Sequence, residues 1–325
     1  SVRASGMSVL PISSRNGLDD QASRLRAMLA AESDAPPRQQ QPRPRLIALA
    51  SGKGGVGKTF TSISIASAMA GLGRKTMLID VDFGAANADI MLGLAPLRRL
   101  DECMIKGFAR GHSLADIAID SGAGFRLVPG PVGMGRPPSS ADRQRLIHSL
   151  SQLHGVADVA LMDCSAGVSS SVLDVVAAAD LAVVVLTPEP TSIADAYALI
   201  KSLVRAQGPE AGERVGLLVN QTESRAEAER VHRRIAAVAR KFLGLELALF
   251  GRIPSDRAVV RGVRGQCVAQ GGKQRSPAGK SARKAASLLL AELERHACKK
   301  DVRTDSCAPA INRVAGSGLG LTSGR

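Results

Sequence analysis

The sequence predicts a single α/β domain with a mainly parallel, doubly wound sheet. Three observations predict it. A glycine-rich loop, Ser51-Gly52-Lys53-Gly54-Gly55-Val56-Gly57-Lys58-Thr59, lies between an apolar run and a helix-compatible run. Five or more strand-length apolar runs alternate with helical segments, which is how parallel sheets are built. Several of those runs close on Asp or Asn, and the site of an open α/β sheet lies outside its C-terminal strand ends.

Taken in order, residues 1–18 show no periodicity. Asp19 or Asp20 can cap a short helix at 19–29, with Ala22, Leu25, Met28 and Leu29 on one face. Residues 35–45 are a proline-rich linker. The expected organisation is therefore a flexible region at 1–45 with a helix that binds a partner or, alternatively, docks on its own core, one domain at 46–300, and a flexible glycine-rich tail at 301–325.

Leu46 to Ala50 reads as a strand and Phe60 to Leu72 as a helix. Strand, glycine loop and helix are the context of a P-loop. Glycines let backbone N–H groups approach phosphate, and the helix N-terminus adds partial positive charge. Gly52, Lys53, Gly54, Gly55, Val56, Gly57, Lys58, Thr59 and Phe60 are thus candidate nucleotide-contacting positions. Lys58 is placed to reach the β- and γ-phosphates and Thr59 to ligate Mg²⁺. A loop that only turned the chain would not need this residue set, spacing and flanks together.

Thr76 to Ile79 is a strand leading into Asp80-Val81-Asp82. Asp80 is a candidate for holding Mg²⁺ through water, and Asp82 for activating the attacking water. Residues 83–93 read as a switch loop and short helix. Phe125 to Gly130 is a strand and turn. Ser139 or Ser140 caps a helix running to about Leu153. Val156 to Met162 is a strand closed by Asp163, a Walker B pattern with an outer-shell Mg²⁺ role. Gly167 would let the backbone approach the γ-phosphate. Leu181 to Leu186 is a central parallel strand. Pro188 and Pro190 fix the next turn, and Thr191 or Ser192 starts a helix.

Val215 to Val219 ends at Asn220, whose amide suits the adenine edge or, alternatively, a strand-end turn. A charged helix from about Ser224 to Leu243, a strand Leu247–Phe250, the Ile253–Asp256 loop and a helix Pro277–Lys299 complete the pattern.

Composition excludes several classes. Aromatics are 2% of the chain, against base-stacking binders of single strands. No apolar run is long enough for a membrane span and no signal peptide is visible, so a cytoplasmic protein is expected. The five cysteines form no C-x-x-C pair, so neither a zinc site nor a disulfide framework is indicated. Net charge is +14, of which +8 falls within residues 261–303. Such a stretch favours anionic membrane, nucleic acid or an acidic partner, or else is a solvated face; against membrane the contact expected is weak and salt-sensitive.

The early lysine, Lys53, is not needed by a simple P-loop. Lys-Gly-Gly-Val-Gly-Lys-Thr resembles the deviant Walker motif of the MinD/ParA ATPases. The resemblance implies a MinD-like fold, ATP and Mg²⁺ as ligands, and a homodimer formed with ATP. Lys53 would then reach the partner's nucleotide, making it catalytic beside Lys58 and Asp82. Asp163-Cys-Ser-Ala-Gly167 resembles the same family's switch II.

Asp80-Val-Asp-Phe-Gly-Ala-Ala-Asn87-Ala-Asp89 and Thr187-Pro-Glu-Pro-Thr-Ser-Ile-Ala-Asp-Ala-Tyr-Ala-Leu-Ile-Lys201 resemble the flagellar-number regulators, the FlhG/FleN branch. By that resemblance Asn87 sits near the γ-phosphate and dimer interface. The Ile253-Pro254-Ser255-Asp256 loop resembles the family's P-x-D loop, which implies that it covers the adenine with Pro254 and Asp256 as contacts. Asp20-Gln21-Ala22-Ser23-Arg24-Leu25-Arg26 resembles the element by which that branch engages the flagellar SRP-type GTPase FlhF, implying Gln21, Leu25 and Arg26 as partner-binding residues. A transcription activator is the other implied partner, and the cell pole or inner membrane a peripheral location. Phe60, Phe83 and Ala85 depart from residues usual in the branch, but none is a phosphate-binding group. The alternative is a partition or septum-positioning ATPase acting on DNA or membrane; DNA is the less expected partner. An iron–sulfur carrier would need paired cysteines.

Overall fold

The structure, a computed structural model, describes residues 43–106, 113–132, 137–257, 259, 262 and 276–305. The expected helix at 19–29, with Gln21, Leu25 and Arg26, lies outside the described residues, as do most of the basic 261–275 stretch and everything beyond 305.

Among the described residues, β1 (Arg45–Ser51), β2 (Thr76–Val81), β3 (Ile119–Asp120), β4 (Arg126–Val128), β5 (Val159–Ala166), β6 (Leu181–Leu186), β7 (Val215–Thr222) and β8 (Ala248–Pro254) form one sheet. Their order is β3-β4-β2-β5-β1-β6-β7-β8. Every neighbouring pair is parallel except β3–β4. The expected single α/β domain with a mainly parallel, doubly wound sheet is what the chain forms.

The central strands read as continuous apolar runs because both faces are covered. Successive residues feed opposite cores. Leu46, Ala48 and Ala50 of β1 enter one core, and Ile47 and Leu49 the other. The first core packs against α5 (Ser140–Ser151), α6 (Ser170–Ala178), α7 (Pro190–Gln207) and α9 (Arg225–Leu243). The second packs against α1 (Lys58–Ala70), α2 (Ala88–Leu92) and α10 (Pro277–Asp305). The short helices α3 (Leu100–Lys106), α4 (Leu114–Ile117) and α8 (Pro209–Glu213) fill the connections.

Some boundaries differ from expectation. β5 starts later than the apolar run and continues through Asp163 to Ala166, because it keeps pairing with β1 as far as Ser51. α7 begins at Pro190, the position where a missing N–H costs a helix nothing, rather than at Thr191 or Ser192. α10 runs past Lys299 to Asp305. The expected cap at Ser139 is present and closes a reciprocal box with Asp142.

Candidate active site

Period-2 alternation places the acidic side chains before any ligand is considered. Leu78 of β2 and Leu161 of β5 enter the α1-side core. Asp80, Asp82, Asp163 and Ser165 therefore share that side. Asp80 pairs in register with Asp163. At the strands' C-terminal ends lies a cavity of about 890 Å³. It is lined by residues 53–60 of the loop and α1, and by Asp82, Asn87, Ser165, Asn220, Gln221 and the segment Ile253 to Asp256.

The loop has the conformation a phosphate cradle needs. Gly55 and Gly57 have φ near +80°, where a side chain would be strained. A Cβ on Gly57 would lie 2.4 Å from Asn220 Nδ2, and one on Gly52 would lie 2.1 Å from the Asp195 carbonyl oxygen. Gly52 thus seats the loop on α7 rather than lining the cavity. Gly57 ends the loop, and α1 starts at Lys58 with its N-terminus at the cavity.

Lys58 is buried, its Nζ 3.3 Å from Asp163 Oδ1. The Ser62 hydroxyl, one turn along α1, donates to the same oxygen at 2.9 Å. Asp80 is buried beneath the switch segment and accepts from three backbone N–H groups, those of Asp82, Asn87 and Ala88. It organises the loop whatever else it does. Asn87 is exposed at the start of α2 and lines the cavity. Phe60, Pro254 and Asp256 line it too.

Three predicted residues have contacts that the linear sequence did not indicate. Gly167 was expected to approach phosphate, but its N–H donates to the Ser51 carbonyl at 2.8 Å. That N–H holds β5 to the loop instead, and Gly167 does not line the cavity. Asn220 is buried; its Nδ2 donates to the Val56 carbonyl at 2.7 Å and its Oδ1 accepts the Gln221 N–H at 2.9 Å. Its amide thus braces the loop as the turn alternative implied. Lys53 is not a freely solvated lysine, since its Nζ meets Glu189 Oε2 at 2.5 Å and Thr191 Oγ1 at 3.1 Å within the same chain.

Residues that sequence reasoning missed also meet here. Gln221 has φ +57°, the only left-handed non-glycine among the described residues, and lines the cavity. Such backbone persists only where its surroundings enforce it. Nothing in the residue type signals it. Ser62 was findable, because a residue four places after Lys58 shares its helix face.

Burial shapes the electrostatics. It pushes the Asp80 carboxyl up to about 7, and the charge of Asp163 pushes the same way. Burial raises Asp163 as well, against the pull of Lys58. Burial is the largest single influence on Lys58 and would lower it, but the neighbouring anionic groups, Asp163 first and Asp82 with it, together with the Asp163 hydrogen bond, outweigh burial and raise it, so the lysine stays protonated. For Asp80 the sign follows from a raised folded-state value against an ordinary 3.8. The folded chain binds the extra proton, so stability from this group is fully present below about 4 and is lost as pH rises through about 7. The ligand-free chain in chelator should melt at progressively lower temperature from about pH 5 to about pH 8. A melting temperature that rises over that range would contradict the burial argument.

The donors suit Mg²⁺. Asp163 Oδ2 is buried without a hydrogen-bond partner, an orphan that a metal-bound water would satisfy. Among the described residues no cluster of three or more His, Cys, Asp or Glu forms a cage. Mg²⁺ is commonly held through one or two carboxylates with substrate phosphates and water, so Thr59, Asp80 and Asp163 form a suitable set.

The profile of the CobQ/CobB/MinD/ParA nucleotide binding domain matches residues 47–266. The chain belongs to this family. Antiactivator FleN of Pseudomonas aeruginosa is 38% identical over 224 residues, covering 68% of this chain and 78% of that protein. Flagellum site-determining protein YlxH of Helicobacter pylori is 28% identical over 281 residues, covering 85% of this chain and 92% of that protein. A chain of the MinC:MinD cell division protein complex of Aquifex aeolicus superposes with a TM-score of 0.59 at 26% identity, over 76% of this chain and 96% of that one. The expected MinD/ParA-type ATPase is thus the family found, and an antiactivator and a flagellum site-determining protein stand among its relatives. Among the described residues no helix is long and apolar enough to cross a membrane.

Proposed function

We propose that the chain is an ATP-driven, dimerising switch ATPase that regulates flagellar number or placement. The observation that carries this is the convergence of Lys53, Lys58 and Asp82 on one cavity, in a chain similar to FleN and YlxH. Lys58 and the loop N–H groups bind the ATP phosphates. Thr59, Asp80 and Asp163 are the residues that would hold Mg²⁺, which neutralises phosphate charge when bound. Phe60, Asn87, Asn220, Pro254 and Asp256 shape the rest of the nucleotide pocket. Asp82 orients and deprotonates the attacking water.

Lys53 reports the nucleotide state. In a single chain it is satisfied by Glu189 and Thr191. In the ATP-bound pair it leaves them for the partner's phosphates, so hydrolysis reopens the dimer. Weak hydrolysis, raised by a partner, fits a switch better than a metabolic enzyme.

The partners proposed are an SRP-type flagellar GTPase and a flagellar transcription activator. The segment proposed for the GTPase is the amphipathic 19–29, through Gln21, Leu25 and Arg26. A peptide of residues 15–32 should stimulate the GTPase without the ATPase domain. The 325-residue chain carrying Gln21→Ala/Leu25→Ala should hydrolyse ATP normally yet lose that stimulation. A silent peptide together with a fully stimulating double variant would remove this partner from the account.

A further inference from the structure

Asp82 Oδ1 accepts three hydrogen bonds, from the Gly84 N–H at 3.0 Å, the Ala85 N–H at 3.0 Å and the Ser165 hydroxyl at 2.9 Å. The first two come from Asp82's own turn and travel with it. Ser165 alone among them stands on another strand, 83 residues away in sequence. It follows Cys164 on β5 as Asp82 follows Val81 on β2, and Val81 and Cys164 are register partners. Both side chains therefore project to the same side, and both line the cavity.

We propose that Ser165 is a positioning residue for ATP hydrolysis: its hydroxyl fixes the Asp82 carboxylate against β5 with Oδ1 turned to the loop, leaving Oδ2 for the attacking water. This rests on the assignment of Asp82 to that water. The general-base step balances simply. The Asp82 carboxylate takes one proton as the water oxygen bonds to the γ-phosphorus and the bond to the ADP oxygen breaks. Ser165 neither gains nor loses a proton; it holds the base within reach. A carboxylate on a turn that also carries the exposed Gly84 and Ala85 would otherwise sample several orientations. Positioning errors of this kind lower kcat without weakening substrate binding.

The test uses the full chain and reads steady-state ATP hydrolysis beside equilibrium ATP binding. Ser165→Ala should lower kcat about tenfold, with ATP affinity within about twofold of wild type. Ser165→Thr, which keeps the hydroxyl, should recover most of the rate. Ser165→Cys is close in shape but a weak donor, and should behave like Ser165→Ala; it serves if alanine disturbs folding. In an Asp82→Ala background, Ser165→Ala should have no further effect. Wild-type kcat in both Ser165→Ala and Ser165→Cys would overturn the proposal, as would an equal loss of rate in the Asp82→Ala background. Full hydrolysis by Asp82→Ala itself would overturn the assignment beneath it, and is distinguishable because it involves no change at Ser165.

Discussion

Replacing Lys58 with alanine is expected to abolish useful ATP binding and to destabilise the fold at the same time. The two effects have separate causes. Charge-assisted hydrogen bonds to phosphate contribute about 1.5–3 kcal/mol each, so losing contacts to two phosphates lowers affinity roughly 10²–10⁴-fold. The second effect arises from Asp163, which is fully buried against Lys58. Breaking a buried pair by removing one partner costs about 3–5 kcal/mol, less whatever proton uptake by the carboxylate recovers. Adding Asp163→Asn should restore much of the stability without restoring ATP binding. Calorimetric titration with Mg-ATP and thermal melting separate the two. A Lys58→Ala chain that binds ATP normally would end the phosphate-binding account of the loop.

Asp82→Ala is expected to do the reverse. The side chain lines the cavity and contacts Ser165, Gly84 and Ala85, not Lys58. Removing a general base typically lowers the rate about 10²–10⁴-fold. ATP affinity should stay within about twofold of wild type. Lys53→Ala should also keep ATP, because in the single chain Lys53 is engaged with Glu189 and Thr191 rather than needed to shape the cavity. It should nevertheless lose hydrolysis, since the proposed role needs the lysine of the opposing chain. Single-turnover assays resolve these outcomes. Normal turnover by Lys53→Ala would leave the lysine as a tether of the loop to α7.

How far the sequence exposes this site depends on separation along the chain. The loop, Lys58 and Thr59 are legible because one short stretch contains both the turn and its chemistry. Asp80, Asp82 and Asp163 are legible because apolar strands end beside them. The pairing of Ser165 with Asp82 and of Lys53 with Glu189 is not, because each bridges strands or helices that only the sheet order brings together. Asn220 shows the same limit. Its amide suits an adenine edge in sequence, yet β1 and β7 flank β6 and bring it against the loop carbonyl of Val56. The short elements α3, α4, α8 and β3 are not legible because none is long enough to show a period, and α6, at nine residues, is not read from the sequence either. The Ser113–Asp116 capping box before α4 was a usable signal. The Gly167 contact is likewise hidden in the sequence, because its N–H faces Ser51 on β1, a pairing set by β5 running beyond Asp163.

If ATP closes two chains on each other, sedimentation equilibrium of the 325-residue Asp82→Ala protein reads that closure as mass. In saturating Mg-ATP the mass should be twice the 33.7 kDa of one chain, and in Mg-ADP it should return to a single chain. Lys53→Ala introduced into the same protein should keep it at one chain in either nucleotide. A protein that binds ATP yet stays at 33.7 kDa, or that pairs equally with ADP, would contradict the switch.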